Sequence, residues 1–302
     1  MRPSLLLLLL IAGLAFAGPA LAAPTIALQP EVLAQGQPAW LRVCGAGQAP
    51  ALGVRLLGRE APLSRGADGC WSALIAADLD APPGAQRLEV LAGGRVVASR
   101  GVSVAARDYG TRRITVDGKY VEPDPAQLAR HQEDLAAMRA AYDLRTPQAL
   151  WSGPWRLPVD SVVVGVFGRR SLVNDQPRSP HGGVDLRAGV GAPIAAPAAG
   201  RVACVRDTFF GGLIVLIDHG LGLVSAYRHL SAAQVKAGDL VKPGQVIGLA
   251  GMSGRVTGPH LHFDLHWAGA RVDPLAFIAL SRTAAGAVPV KRQKTPARPA
   301  RQ

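Results

Sequence analysis

Apolar residues are grouped along this chain in three ways. Residues 5–16 form one unbroken apolar run behind Arg2, ended by Gly18-Pro19 and followed by Ala20-Leu21-Ala22. A positive start, a short apolar run and an Ala-x-Ala site predict a secretory signal peptide over residues 1–22. The run is shorter than the ~20 residues a membrane span needs, so no span is expected after cleavage. Residues 23–106 instead alternate short apolar stretches (40–43, 54–57, 88–91, 96–104) with Gly, Pro and Asp turns, and Gly93-Gly94 reads as a hairpin turn. Without helical periodicity, this stretch predicts an immunoglobulin-like β-sandwich.

A helical pattern follows within the connector, residues 107–150. Asp124 suits an N-cap, Pro125 the first helical position, and Gln127 completes a capping box. Leu128, Leu135, Met138 and Tyr142 then supply an apolar stripe at helical spacing. Residues 151–280 return to short β-rich runs, with Gly211-Gly212 and Gly220-Leu221-Gly222 as turns. The expected fold is therefore all-β in two domains. An N-terminal sandwich and one linking helix precede an antiparallel β-sheet or β-sandwich domain. Residues 281–302 hold basic residues and no acidic ones, as a disordered tail does.

The formal charge of +12 favours anionic partners. For an exported chain, periplasmic or secreted, that means the polymers of the cell envelope rather than nucleic acid. Export also permits disulfides. Cys44 and Cys70 fall in the first domain and are expected to pair, whereas Cys204 sits in an alternating strand and reads as a buried thiol. There is no C-x-x-C, which excludes cysteine-rich zinc modules.

Six of the seven histidines fall between residues 181 and 266. In "GPHLHFDLHW", His260, His262, Asp264 and His266 are spaced by two and share one face of a strand. "HGGVD" places Asp185 four residues after His181, with Gly182-Gly183 able to bend the loop. Zinc takes nitrogen and oxygen ligands tetrahedrally. On spacing alone, two readings stay open: His181, Asp185 and His262 as three ligands with His229 and His260 near a bound water, or His260 and His262 as a pair of structural histidines. The helical H-E-x-x-H motif is absent. Asp264 reads as support for a ligand, and His131, His219 and His266 as structural.

"FGRR" (167–170), "HGGVDLRAGVGAPIAAPAAGRV" (181–202), "GGLIVLIDHGLGLVSAYRHLS" (211–231), "VKAGDLVKPGQVIGLAGMSGRVTGPHLHFDLH" (235–266) and "VDP" (272–274) occur in this order. Together they resemble the lysostaphin-type (LytM-like) zinc metallopeptidases over residues 150–278. The resemblance implies one Zn2+ per chain on His181, Asp185 and His262. It places His229 and His260 at the water and the transition state, with Tyr227 in the Tyr-x-His-Leu position. It implies a metalloendopeptidase acting on peptidoglycan cross-links or stems. The alternatives are a non-catalytic activator, binding a cell-wall amidase through the first domain, and a secreted protease cutting Gly-rich peptides. Phe209 and Phe210, with Tyr227, are candidates for substrate contact; Trp151, Trp155 and Trp267 suit either groove walls or packing. A biotinyl or lipoyl carrier domain is disfavoured, because the 209–212 turn carries no lysine.

Overall fold

The computed structural model describes residues 23–114 and 124–283. The expected signal peptide, the middle of the connector (115–123) and residues 284–302 of the expected tail lie outside the described residues. Nine strands fill the first half: β1 (Thr25–Gln29), β2 (Leu33–Ala34), β3 (Pro38–Cys44), β4 (Gly53–Leu56), β5 (Arg59–Pro62), β6 (Ser64–Arg65), β7 (Trp71–Ala76), β8 (Gly84–Ala92) and β9 (Arg95–Ala105). They form two sheets, ordered β1-β3-β7-β6 and β2-β9-β8-β4-β5. Alternation decides which faces meet: Leu41 and Val43 of one sheet and Val54, Leu56, Leu88 and Val90 of the other are fully buried in one cluster. Gly93-Gly94 turns β8 into β9 with positive φ at both residues. A Cys44–Cys70 disulfide joins the end of β3 to the start of β7.

The second half contains β10 (Thr111–Ile114), α1 (Pro125–Tyr142), β11 (Val163–Gly165), β12 (Arg170–Val173), β13 (Gln176–Arg178), β14 (Gly183–Arg187), β15 (Pro193–Ala195), β16 (Gly200–Thr208), β17 (Gly212–Gly220), β18 (Leu223–Ala233), β19 (Leu240–Val241), β20 (Val246–Ala250), β21 (His260–Trp267), β22 (Ala270–Val272) and α2 (Pro274–Thr283). A ten-stranded sheet follows the path β11-β14-β21-β18-β17-β16-β19, with β15, β20 and β22 attached. Strand β10 leaves the connector to pair in parallel with β12, which pairs with β13, as a separate three-stranded sheet.

Strand β21 shows why the chain folds this way. Leu261, Phe263, Leu265 and Trp267 are each at most 1% exposed, and each buried large side chain contributes roughly 1.5–3 kcal/mol. The opposite face carries the histidines and Asp264. The period of two thus sets one face into the core and offers the other to chemistry.

Three expectations are corrected. Helix α1 forms with its capping box, Asp124 Oδ1 accepting from the Gln127 amide at 2.9 Å, but it does not dock on the whole apolar stripe. Leu128 is exposed, while Asp134, Ala141 and Tyr142 are buried; Asp134 accepts from Arg206 Nε and the Phe209 amide, both at 2.8 Å. A second helix, α2, follows Asp273-Pro274. Asp273 Oδ1 caps it by accepting from the Leu275 and Ala276 amides at 3.0 and 3.3 Å, a cap and N1 proline readable in the sequence. Cys204 is half-buried rather than buried, at a register shift in the β16–β17 ladder.

The two halves are joined by polar contacts over a shared core. The Arg271 guanidinium spans Asp78 (2.6 Å) and Asp80 (2.8 Å), and its amide also donates to Asp78. Gly36 accepts the Asp273 amide at 2.7 Å and leaves no space for a side chain, since an added Cβ would lie 2.9 Å from the Tyr109 hydroxyl.

His219 is fully buried, as its structural assignment requires. Ala199 O can only accept, so His219 Nδ1–H donates to it at 2.8 Å. Nε2 then accepts from the Ser225 hydroxyl, and Ser225 Oγ accepts from the Tyr227 hydroxyl, each at 2.8 Å. Burial pushes the His219 pKa down to about 4, below its unfolded value of about 6.5. Between pH 6.5 and 4 the unfolded chain binds the extra proton, so stability falls as pH is lowered through this window and levels off below it. We expect a loss on the order of 3 kcal/mol from this group. Urea unfolding from pH 7 to 4 measures it, and His219→Gln reduces the slope.

Candidate metal centre

Strands β14 and β21 build the centre between them. Their antiparallel register sets Asp185 opposite His262 and Arg187 opposite His260, so the Asp185 and His262 side chains meet on one face. His181 enters from the loop before β14, held by backbone bonds to the segment after β11: its amide donates to Arg169 O at 3.0 Å and its carbonyl accepts from the Gly168 amide at 2.8 Å. His181 Nε2, Asp185 Oδ1 and His262 Nδ1 lie 2.9–3.0 Å from one another. Tetrahedral zinc ligands at about 2.0–2.1 Å stand about 3.3 Å apart, so this trio fits one ion. It is the single group of three or more metal-binding side chains found among the described residues.

The second ring nitrogens fix which atoms face the ion. His181 Nδ1–H donates to Val166 O at 2.8 Å, leaving Nε2 with its lone pair toward the centre. His262 turns Nε2 toward Asp264 Oδ2 at 3.5 Å, leaving Nδ1 for the metal. Burial pushes the Asp185 carboxyl up in pKa, but His181 and His262 outweigh it and hold it well below the usual carboxylate range. The carboxylate is therefore ready to bind a cation.

Two glycines make room. A Cβ on Gly165 would overlap the Asp185 carboxylate, and one on Gly183 would overlap Phe263 O and lie 2.9 Å from His262 Nε2. Gly183 has a strand conformation and is needed for space, not for bending. At Gly182 an added Cβ meets nothing closer than Arg271 Cδ at 3.7 Å.

His229 and His260 complete the set. A bulge in the β17–β18 ladder separates Tyr227 from Leu230, and His229 within it has φ +62°, a conformation costly for a residue with a Cβ. Its ring lies 5.0 Å from that of His260 and 6.2 Å from that of His262, centroid to centroid. Nδ1–H of His229 donates to Ser253 O, and Nδ1–H of His260 to Gly258 O, both at 2.9 Å. Each Nε2 is left without a proton in the neutral ring, and His260 Nε2 is 3.7 Å from Asp185 Oδ1. Burial holds the His229 pKa down at about 4, so this imidazole is neutral at pH 7.

The register of β18 decides the fate of Tyr227, which it sets opposite Phe263. It is fully buried, and its hydroxyl is committed to Ser225, so the structure does not bring it to the substrate surface. Trp151, Trp155 and Trp267 are core residues as well. Phe209 and Phe210 stay partly exposed, in a turn whose Gly211 carbonyl accepts the His229 amide at 2.9 Å. His131 stacks edge-on against Phe210 at 4.6 Å.

Beneath the ligands lies a buried network that sequence reasoning only partly reached. Asp264, 1% exposed, accepts from Arg228 Nε at 2.6 Å and from the Tyr142 hydroxyl at 2.9 Å. His266 Nε2 approaches it at 3.2 Å, with its ring stacked on Tyr142 at 3.8 Å. Arg228 and Tyr142 were not among the expected site residues, and Tyr142 is 122 residues from Asp264 in the chain.

The two glycines of "HGGVD" make a clean contrast. Gly183→Ala is expected to cost about 1–3 kcal/mol and to weaken zinc binding by tilting the His262 ring, whereas Gly182→Ala changes both little. Thermal unfolding and zinc competition with a chromophoric chelator read the two effects.

Comparison with known proteins agrees with this geometry. A profile of Peptidase family M23 matches residues 179–274, which span the trio and both further histidines. A crystal structure described as a peptidase M23 from Pseudomonas aeruginosa superposes with a TM-score of 0.65 at 32% identity, covering 82% of this chain and 95% of that one. A metalloprotease of Haemophilus influenzae is 41% identical over 196 residues, 63% of this chain and 41% of its own. The peptidoglycan DD-endopeptidase ShyA of Vibrio cholerae is 42% identical over 113 residues, 36% of this chain and 26% of its own. The chain thus spans less than half the length of these two relatives. With the candidate metal-binding trio inside the matched segment and a structural match over most of its length, the chain belongs to peptidase family M23.

Proposed function

We propose that the protein is a zinc-dependent endopeptidase, exported to the periplasm, that hydrolyses peptide bonds in the cross-links or stems of peptidoglycan. The observation that carries this reading is the convergence of His181 Nε2, Asp185 Oδ1 and His262 Nδ1 within 3.0 Å of one another. Zinc held there supplies a Lewis acid that acidifies water and polarises a carbonyl. The remaining work falls to the chain. His229 and His260 each keep an unprotonated Nε2 in the neutral ring, so either accepts a proton from the attacking water. Once protonated, the same nitrogen donates to the developing oxyanion or to the leaving amine. The side chains of His181, Asp185 and His260 are each 20% exposed, which suits a site reached by a polymer rather than one sealed around a small molecule. The names of relatives such as ShyA support peptidoglycan as the substrate. A non-catalytic activator role is disfavoured, because all five candidate side chains are in place.

The test is mass spectrometry of muropeptides after incubating the protein with purified sacculi, with zinc and with a chelator. The reading predicts loss of cross-linked dimers that chelation abolishes. His229→Ala and His260→Ala are expected to lower turnover at least 100-fold while zinc remains bound, whereas His181→Ala and Asp185→Ala lose the metal. Intact dimers after treatment with folded, zinc-loaded protein would overturn the peptidase reading and favour the activator.

A further inference from the structure

The three-stranded sheet beside the metal centre sorts its arginines by face. Registers Arg112↔Ser171 and Ser171↔Arg178 put Arg112 and Arg178 on one face, on either side of Ser171. Arg113 and Arg170 lie on the other face, and both are paired: Arg113 with Asp175 at 3.3 Å and Arg170 with Asp80 at 3.1 Å. Arg112 and Arg178 have no carboxylate partner among the described residues. Their bonds are to neutral groups, Arg112 Nε to the Ser171 hydroxyl at 3.0 Å and Arg178 Nη2 to Gln176 Oε1 at 3.4 Å.

The unpaired face is the one next to the metal centre. Arg112 lines a small pocket with Arg169, Gly165, Val166, His181 and Asp185. On the far side of Arg178, Arg255 lies over the Phe210 ring at 4.1 Å. Arg178 is close enough that, after burial, its charge is the next cause holding the Arg255 pKa below its usual value. Arg112, Arg169, Arg178 and Arg255, none with a carboxylate partner among the described residues, thus form an arc beside the centre. Like charges brought together without counter-charges repel. Such an arc is tolerated where a ligand supplies the anions, and guanidinium suits carboxylates because it donates two parallel N–H bonds.

We infer that Arg112 and Arg178 form a carboxylate subsite, which makes the centre select peptides bearing free carboxylates beside the bond to be cut over the same peptides with carboxamides. The inference rests on the peptidase reading above and adds the charge class of the substrate. Arg112 comes from the connector, so the segment leaving the N-terminal half supplies part of the specificity.

The test uses two synthetic cross-linked peptides, identical except for carboxylates or carboxamides on the residues flanking the scissile bond. Binding to chelator-treated, full-length protein is measured by calorimetry at low salt; turnover is measured separately with zinc. The carboxylate peptide is expected to bind about tenfold more tightly, with the preference falling to about twofold or less in the Arg112→Gln/Arg178→Gln double variant. Arg95→Gln, at the remote β8–β9 hairpin, controls for net charge and retains the full preference. Equal binding of the two peptides, or a preference that survives the double variant or falls equally in Arg95→Gln, would overturn the inference. Failure to cleave either peptide would count against the peptidase reading alone, since the binding comparison is made without turnover.

Discussion

One buried carboxylate, Asp264, orders the half of the chain that carries the candidate metal centre. Burying an unpaired ion costs several kcal/mol, and burying a pair recovers that cost only when the remaining hydrogen bonds are also made. Asp264 meets the condition with Arg228, Tyr142, His266 and His262 around it. Burial alone would raise its pKa, but Arg228 first, and then the two histidines, hold it well below the usual range. Such a network contributes little net stability against an apolar core of the same shape. What it supplies is orientation: β18, β21 and the end of α1 meet at one charge, and His262 of the candidate trio is one of its partners.

The same logic extends to each imidazole of the centre. His181, His229 and His260 give one N–H to a backbone carbonyl, whereas His262 faces a carboxylate. A carbonyl fixes the tautomer and the ring angle. A carboxylate also raises the basicity of the opposite nitrogen, which strengthens a metal ligand. The division separates the proposed ligand His262, which faces a carboxylate, from the proposed proton carriers His229 and His260, which face carbonyls. The left-handed backbone at His229 is the local strain accepted to turn that ring out of the β18 alternation and toward its partner.

The β architecture was legible in the sequence through short-range pattern, and the five candidate side chains that the structure gathers were reached through spacing together with the family resemblance. Alternation sorts β21 into an apolar and a histidine face, and glycine pairs mark the hairpins. What escaped depends on neighbours far apart in the chain. Gly183 resembles a hinge until the His262 ring is seen against it. Tyr227 shares the face of His229 by spacing, but its register opposite Phe263 buries it, and the bulge that follows turns His229 the other way. The stripe on α1 suggested apolar docking, but the helix is held through Asp134 and Tyr142. Helix α2 carried a readable cap at Asp273-Pro274, but the β-rich pattern expected up to residue 280 left no helix there, and the boundary at 281 cut off its last turn.

The contacts between the halves bear on how the centre's rim is formed. Arg271, two residues before the Asp273 cap of α2, is bound by Asp78 and Asp80 of the first half. Burial raises the Asp78 pKa, but Arg271 and backbone amides outweigh it and bring it down to about 2. A depressed carboxyl contributes stability above its unfolded pKa and loses it only as pH falls toward 2, so this contact holds at neutral pH. The first half is thereby fixed at Asp78 and Gly36, and the chain leaving it enters β10 at Thr111, six residues after β9 ends at Ala105, with Arg112 at the pocket beside His181 and Asp185. Strand β10, anchored just before its start by the Tyr109 hydroxyl donating to Gln35 O at 2.7 Å and paired with β12 over Thr111–Ile114, does not place Arg112 independently of the sandwich. The first half therefore sets the position of Arg112 beside His181 and Asp185 through backbone geometry, without a residue of the sandwich lining that pocket.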